Sequence, residues 1–113
     1  MRAVNTRSGQ LLAANLSVAA TFLSRSKGLL GRQRLSAGEG LLIAPCNGVH
    51  TFFMKFPIDV IFLDKENRII GAREHLPPYR ITRVLFSCVR VLELPAGTLT
   101  ASGTVPGDRL LIG

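Results

Sequence analysis

Four side chains in the central part of the sequence could take part in chemistry: Cys46, His50, Met54 and Asp59. Thiolate, imidazole and thioether groups are ligands that a soft metal ion accepts. In an extended strand, however, the α-carbons of His50 and Met54 are about 13 Å apart, too far to share one ion. Cys46 and His50 have the same spacing unless Gly48 bends the chain. The same distance weakens the case for a thiol–imidazole nucleophile pair. We therefore expect no bound metal and no cofactor.

Asp59 belongs to an apolar stretch, residues 58–64, that reads as a strand. Alternation along the strand places the carboxylate on the same face as Ile61 and Leu63, which we expect to be covered. A carboxylate buried among apolar side chains costs free energy unless it has a partner. We therefore expect Asp59 to be buried and paired.

Three side chains are candidate partners for Asp59: Arg25 and Arg32 on a predicted helix, and His50 on the preceding segment. An ion pair with either arginine would be structural and would dock the helix on the sheet, which is the interpretation we favour. A pair with His50 would instead form an acid–base couple in a ligand pocket, and this alternative stays open.

The chain has 113 residues, and we interpret it as one domain spanning 1–113. Eleven glycines and six prolines divide the sequence into short pieces, which favours short strands over long helices. The two cysteines, Cys46 and Cys88, form no CxxC motif, so a cysteine-type zinc site is excluded. We expect both thiols to be reduced and at least partly buried.

The net charge of +7 favours anionic partners, but the basic residues are scattered. On a helical wheel the densest group divides, with Arg25 and Arg32 on one side and Lys27 and Arg34 nearly opposite. One tyrosine and no tryptophan offer few platforms for stacking nucleic-acid bases. We therefore expect scattered surface charge and do not expect a nucleic-acid partner.

The N-terminal segment superficially resembles a signal peptide, because Arg2 and Arg7 precede a partly apolar run. Asn15 and Ser17 interrupt that run, and the alternation in residues 12–18 is typical of a half-buried strand. No stretch approaches the ~20 apolar residues that span a bilayer. We expect an uncleaved, cytoplasmic protein without a membrane partner.

The remaining signals predict a mainly β protein with one short helix. Thr21 is a candidate N-cap for a helix over about residues 22–30, which closes near Gly31 and is weakened by Gly28. Turn residues separate the strands, which favours a jelly-roll-like β-sandwich or a closed barrel. The predicted strands cover residues 2–4, 10–19, 41–44, 49–56, 58–64, 68–72, 84–94 and 110–112.

Three segments together resemble the family called domain of unknown function 192. They are RSKGLLGR (25–32), PCNGVHTFFMKFPIDVIFLD (45–64) and LELPAG (92–97), the last followed by a turn at Gly107-Asp108. The likeness runs from about residue 10 to the end. One departure is Leu30, where the family usually has methionine; the exchange preserves volume but removes a thioether. The resemblance implies a compact jelly-roll sandwich with one short helix, and it implies no activity.

The hypothesis we favour is a non-catalytic domain that binds a small ligand or a partner on a concave face. Its candidate ligand-binding residues are His50, Met54, Asp59, Arg25 and Arg32. The first alternative is a hydrolytic enzyme that uses His50 and Asp59, with Cys46 as a further catalytic candidate. The second alternative is a nucleic-acid-binding regulator.

Overall fold

The chain folds into eight short strands and two shorter helices, seen in a computed structural model that describes residues 1–113 except the side chain of Phe22. The strands are β1 (Ala3–Asn5), β2 (Leu11–Ala13), β3 (Asn15–Ala19), β4 (Glu39–Ile43), β5 (Ile58–Leu63), β6 (Ile69–Leu76), β7 (Arg90–Pro95) and β8 (Leu110–Ile112). The helices are α1 (Phe22–Lys27) and α2 (Thr98–Ser102). No described helix has the length and apolar character needed to cross a membrane.

The strands form two sheets that pack against each other. A three-stranded sheet has the order β2-β1-β8, and a five-stranded sheet has the order β3-β4-β7-β5-β6. All neighbours are antiparallel except β3 and β4. Each sheet keeps two edge strands, so the described strands close no barrel. The predicted mainly β, sandwich-like architecture is confirmed.

Strand β5 is buried over its whole length, as its apolar sequence predicted. Its alternate side chains enter two different cores. Ile61 and Leu63 point into the first core, which fills the space between the two sheets. Ile58, Val60 and Phe62 point to the opposite face of the five-stranded sheet, into a second core. This second core lies under the turn that follows α1 and under the loops after β4 and β6, and includes Leu29, Met54, Cys88 and Leu76.

The predicted strand over residues 10–19 is wrong in one respect: it is two strands in two different sheets. The chain bends at Ala14, where the N–H groups of Ala14 and Asn15 both donate to the Gly38 carbonyl at 2.9 Å. Strand β2 then pairs with β1, whereas β3 pairs with β4. The apolar alternation continues through the bend because Leu12 and Leu16 both enter the first core.

The predicted strand over residues 49–56 does not form. Its only ladder contact in the described chain is an isolated bridge between His50 and Ile81. Phe53 has a positive φ of 64°, which an extended strand cannot contain. The neighbouring prediction of a strand over 84–94 is correct only from Arg90 onwards. The preceding residues form a loop in which Phe86 is 95% exposed.

The predicted N-cap of α1 is confirmed, but the helix is shorter than predicted. The Thr21 hydroxyl oxygen accepts a hydrogen bond from the Ser24 N–H at 3.1 Å. The helix ends at Lys27 because Gly28 has a φ of 49°, outside the helical region. Helix α2, five residues long and preceded by Gly97, was not predicted from the sequence.

Asp59 is fully buried, as predicted, but the predicted ion pair with Arg25 or Arg32 is wrong. Its Oδ1 accepts from the His75 N–H at 2.9 Å, and its Oδ2 accepts from the N–H groups of Gly97 (3.1 Å) and Leu99 (2.9 Å). The physical reason is the side of the sheet. Asp59 shares its face with the first core, whereas the segment after α1 packs on the second. Arg32 pairs with Glu39 at 3.1 Å instead.

We predict that Asp59→Ala lowers the free energy of unfolding by at least about 3 kcal/mol, because three backbone N–H groups lose their acceptor, and that of Leu99 is buried. Urea denaturation measures the change. The control is Glu66→Ala, an exposed residue whose loss should cost no more than about 0.5 kcal/mol. Equal costs for the two substitutions would contradict this role of Asp59.

Candidate functional site

A cleft of about 290 Å³ lies between α1 with its following turn and the loop that leaves β4. The three family-like segments of the sequence all contribute to its walls. The first contributes Arg25 to Leu30, the second contributes Cys46 to His50 together with Met54, and the third contributes Glu93. Segments far apart in the sequence therefore meet in one concave site.

Glu93 is the acidic group of this cleft, and only 3% of its surface is exposed. In β7 its neighbours Leu92 and Leu94 point into the first core, so alternation turns Glu93 to the α1 side of the sheet. The cross-strand register agrees, since Glu93 pairs with Val60 of the second core. None of the described residues forms a hydrogen bond with its carboxylate.

Gly28 leaves room above this carboxylate. A Cβ atom at this position would lie 3.9 Å from Glu93 Oε1, and the positive φ of 49° disfavours any larger residue. The residue that ends α1 therefore also keeps the approach to Glu93 open.

Burial raises the pKa of Glu93 to about 7. Near neutral pH the group can therefore be either a protonated donor or an ionised acceptor. That is the range in which a carboxyl group can exchange a proton with a bound molecule.

Arg25 is the cationic group of the cleft. Its Nη1 donates to the Pro45 carbonyl oxygen at 3.1 Å, which fixes the guanidinium against the loop after β4. Its Nε is buried and has no hydrogen-bond partner. The two salt bridges in the described chain involve other residues, so Arg25 and Glu93 stay apart by more than contact distance. Arg25 and Glu93 thus line the same cleft, and each has a polar group without a hydrogen-bond partner.

Cys46 lines the cleft as a protonated thiol. Burial is the main influence that raises its pKa; the nearby Glu93 carboxylate raises it further, and Arg25 lowers it. Its S–H donates to the Gly48 carbonyl oxygen at 3.1 Å. Cys88 is buried below, and burial raises its pKa as well. Both cysteines are free thiols that are at least partly buried, as predicted. A raised pKa makes either thiol a poor nucleophile.

His50 and Met54 occupy different depths of the cleft. His50 is exposed at the rim, where its Nδ1 accepts from the Phe52 N–H at 3.3 Å and its ring stacks on Phe52. Met54 is buried and belongs to the second core. Of the predicted site residues, the cleft unites Arg25, Cys46, His50 and Met54. Asp59 and Arg32 do not line it, so the His50–Asp59 couple is not assembled.

Glu93 was not among the predicted site residues, although the sequence around it carries a signal. Residues 90–95 read as a buried strand in which one acidic residue alternates with leucines. A charge at such a position is rare unless it is paired or functional. The described residues contain no cluster of three or more His, Cys, Asp or Glu side chains that could hold a metal ion.

Comparison with known proteins identifies the family of the chain. The family model for domain of unknown function 192, described as "Uncharacterized ACR", matches residues 3–112. The chain belongs to this family. The domain of unknown function 192 family is one of uncharacterised function, so membership gives the fold and leaves the activity to the site.

Individual relatives are distant in sequence but close in structure. A UPF0127 protein from Thermococcus sibiricus (strain DSM 12597 / MM 739) is 25% identical over 112 residues, which are 95% of this chain and 71% of the relative. A protein of unknown function from Novosphingobium aromaticivorans DSM 12444 has a TM-score of 0.84 at 24% identity, covering 98% of this chain and 82% of its own. A protein provisionally described as a transcription regulator, from Sinorhizobium meliloti 1021, has a TM-score of 0.80 at 25% identity, covering 97% and 89%.

We predict that Glu93 makes the protein less stable as the pH rises. Its folded-state pKa of about 7 exceeds the ordinary 4.5, so between these values the folded protein holds a proton that the unfolded chain releases. The free energy of unfolding should fall across this window, by up to about 3 kcal/mol. Glu93→Gln should remove that fall and be the more stable protein near pH 8.

Urea denaturation of both proteins near pH 5 and near pH 8 measures this difference. Glu66→Gln, at an exposed position, serves as the control and should follow the wild-type profile. If the stability of Glu93→Gln also fell between pH 5 and pH 8 as in the wild type, the fall would not come from a buried, unpaired Glu93 carboxylate.

We also predict that Cys46 and Cys88 react slowly with iodoacetamide at neutral pH, because burial raises the pKa of each thiol. Mass spectrometry of the folded protein, with unfolded protein as the reference, measures the rates. Labelling of Cys46 as fast as in the unfolded chain would contradict the raised pKa, and faster labelling would mean that the cleft holds a thiolate.

Proposed function

We propose that this protein binds a small polar molecule in the cleft and does so without catalysing its conversion. One observation carries the proposal: Glu93 is only 3% exposed and its carboxylate makes no hydrogen bond in the described chain, the buried Arg25 Nε has no hydrogen-bond partner, and both residues line the same cavity. Buried polar groups without partners cost free energy and are uncommon. A bound molecule that satisfies both groups would remove that cost.

The two groups define the ligand's polar edge. The Arg25 N–H requires a hydrogen-bond acceptor, and the Glu93 carboxyl requires either a donor or, when protonated, an acceptor. The cavity has room for roughly ten water molecules, so the ligand is small. Leu29, Ile43 and Met54 provide apolar walls, which suit a short apolar portion of the same molecule.

We do not propose the hydrolytic alternative. Both oxygens of Asp59 accept hydrogen bonds from backbone N–H groups on the side of the first core, whereas His50 lies at the rim of the cleft. The Cys46 thiol has a raised pKa, so it offers no activated nucleophile.

We propose the cytoplasm as the location, because two free thiols suit a reducing compartment. A nucleic-acid-binding role would use the exposed rings and cations of the loops beside the cleft.

The test begins with native mass spectrometry of the purified protein, which reports any small molecule that co-purifies. A thermal-shift panel of amino acids, short hydroxy and keto acids, and nucleobases follows. Glu93→Gln should weaken binding of the ligand so found by about 10- to 100-fold, the usual range for hydrogen bonds to charged groups. Arg25→Met should weaken it similarly.

Glu66→Gln is the matched control, since it removes the same charge at an exposed position and should leave affinity unchanged. Two outcomes would overturn the proposal. One is that no molecule co-purifies and none in the panel raises the melting temperature. The other is that a bound molecule is held equally well by Glu93→Gln and by wild type.

A further inference from the structure

Two loops beside the cleft carry a row of exposed aromatic rings. The Phe52 and Tyr79 ring centroids are 6.5 Å apart, and those of Phe53 and Tyr79 are 5.8 Å apart in an edge-on arrangement. His50 extends the row, stacked on Phe52 at 5.3 Å. Phe53 is 73% exposed and Tyr79 is 58% exposed. Exposed rings in contact with one another are unusual for a surface that has no partner.

The backbone holds these rings outward at a cost. Phe53 and Tyr79 have φ values of 64° and 62°, a left-handed conformation that is unfavourable for large side chains. It persists because the loops are tied together around Thr51. The Tyr79 N–H donates to the Thr51 carbonyl oxygen at 2.9 Å, and the buried Thr51 hydroxyl donates to Pro77 O at 2.6 Å. Strain of this kind is often kept where a side chain must be presented for function.

The same loops are purely basic. Residues 40–58 and 75–92 contain no aspartate or glutamate, and their cations are Lys55, Arg80, Arg83 and Arg90. Arg90 is used internally, since it donates to Asn67 and to backbone carbonyls. Lys55, Arg80 and Arg83 are exposed. Arg80 also donates to the carbonyl oxygen of Tyr79 at 3.3 Å, which keeps a positive charge next to the rings.

We propose that this aromatic loop surface (Phe52, Phe53 and Tyr79 with Lys55, Arg80 and Arg83) binds single-stranded nucleic acid. Bases would stack on the Phe53 and Tyr79 rings, and the three cations would neutralise phosphates. The counts of tyrosine and tryptophan had predicted few stacking platforms. The structure exposes phenylalanine rings instead. This proposal is independent of the small ligand proposed for the cleft.

A single strand fits the surface better than a duplex. In a duplex the bases are already stacked on one another, and reading them requires an element that enters a groove. The described helices have six and five residues and present no such element. Unpaired bases, by contrast, can use any exposed ring.

Fluorescence anisotropy with a labelled single-stranded oligothymidylate of about 20 nucleotides tests the proposal. If three phosphates are neutralised, the logarithm of the association constant should fall with the logarithm of salt concentration at a slope of roughly −2. Phe53→Ala or Tyr79→Ala should each weaken binding by about 5- to 150-fold. Arg80→Ala with Arg83→Ala should weaken binding and make the slope shallower.

Matched controls lie next to the three-stranded sheet. Leu111→Ala removes an exposed apolar side chain, and Arg2→Ala with Arg109→Ala removes the same charge as the double arginine variant. Both should retain more affinity than the loop variants. Glu93→Gln should not affect oligonucleotide binding, which separates this proposal from that for the cleft. Circular dichroism confirms that each variant is folded.

Three results would overturn the proposal: no binding to the oligonucleotide at low salt, equal losses for loop and control variants, or tighter binding to the matching duplex. Vesicles of phosphatidylcholine with phosphatidylserine test the competing partner, an anionic membrane. Binding to these vesicles that depends on Phe53, without binding to the oligonucleotide, would assign the surface to lipid instead.

Discussion

The structure depends on the register between β5 and β7, the two central strands of the larger sheet. Asp59 pairs with Leu94 and Val60 pairs with Glu93, so the two acidic residues point to opposite faces. Each face then solves the problem of a buried carboxylate differently. On one face three backbone N–H groups satisfy Asp59. On the other no described group bonds to Glu93. A slip of one residue between these strands would put both acids on the same face, so one of them would lose the surroundings that suit it.

Asp59, whose oxygens accept hydrogen bonds, has a structural role, whereas the carboxyl group of Glu93 is available to a ligand. Asp59 fixes the start of α2, and Leu99 of that helix completes the first core. On the side of Glu93, α1, Gly28 and the loop after β4 leave a space, so the second core is incomplete above β7. A protein that needed only stability would fill this space with apolar side chains. The retained cleft is therefore the part of the fold that stability alone does not explain.

Local signals in the sequence predicted the elements whose cause is local. The Thr21 cap, the buried run of β5 and the final strand all depend on residues close together in the chain. The split of residues 10–19, the loss of a strand at 49–56 and the partners of Asp59 depend on which strands become neighbours. Sequence patterns give the face of a side chain but not the element that covers that face. Hence the burial of Asp59 was predicted correctly and its partner was not.

His50 lies between the cleft and the aromatic loop surface, since it lines the cleft and its ring stacks on Phe52. Contiguity alone produces no communication between sites, because a ligand shifts an equilibrium only through contacts that differ between states. If His50 has two positions, a small molecule in the cleft that favours one of them changes the stacking row as well. Linkage then requires reciprocity: any factor by which that molecule alters oligonucleotide affinity must equal the factor by which the oligonucleotide alters affinity for the molecule. Measuring both factors in wild type and in His50→Ala, where the coupling should vanish, decides whether the two sites form one regulated device or two independent ones.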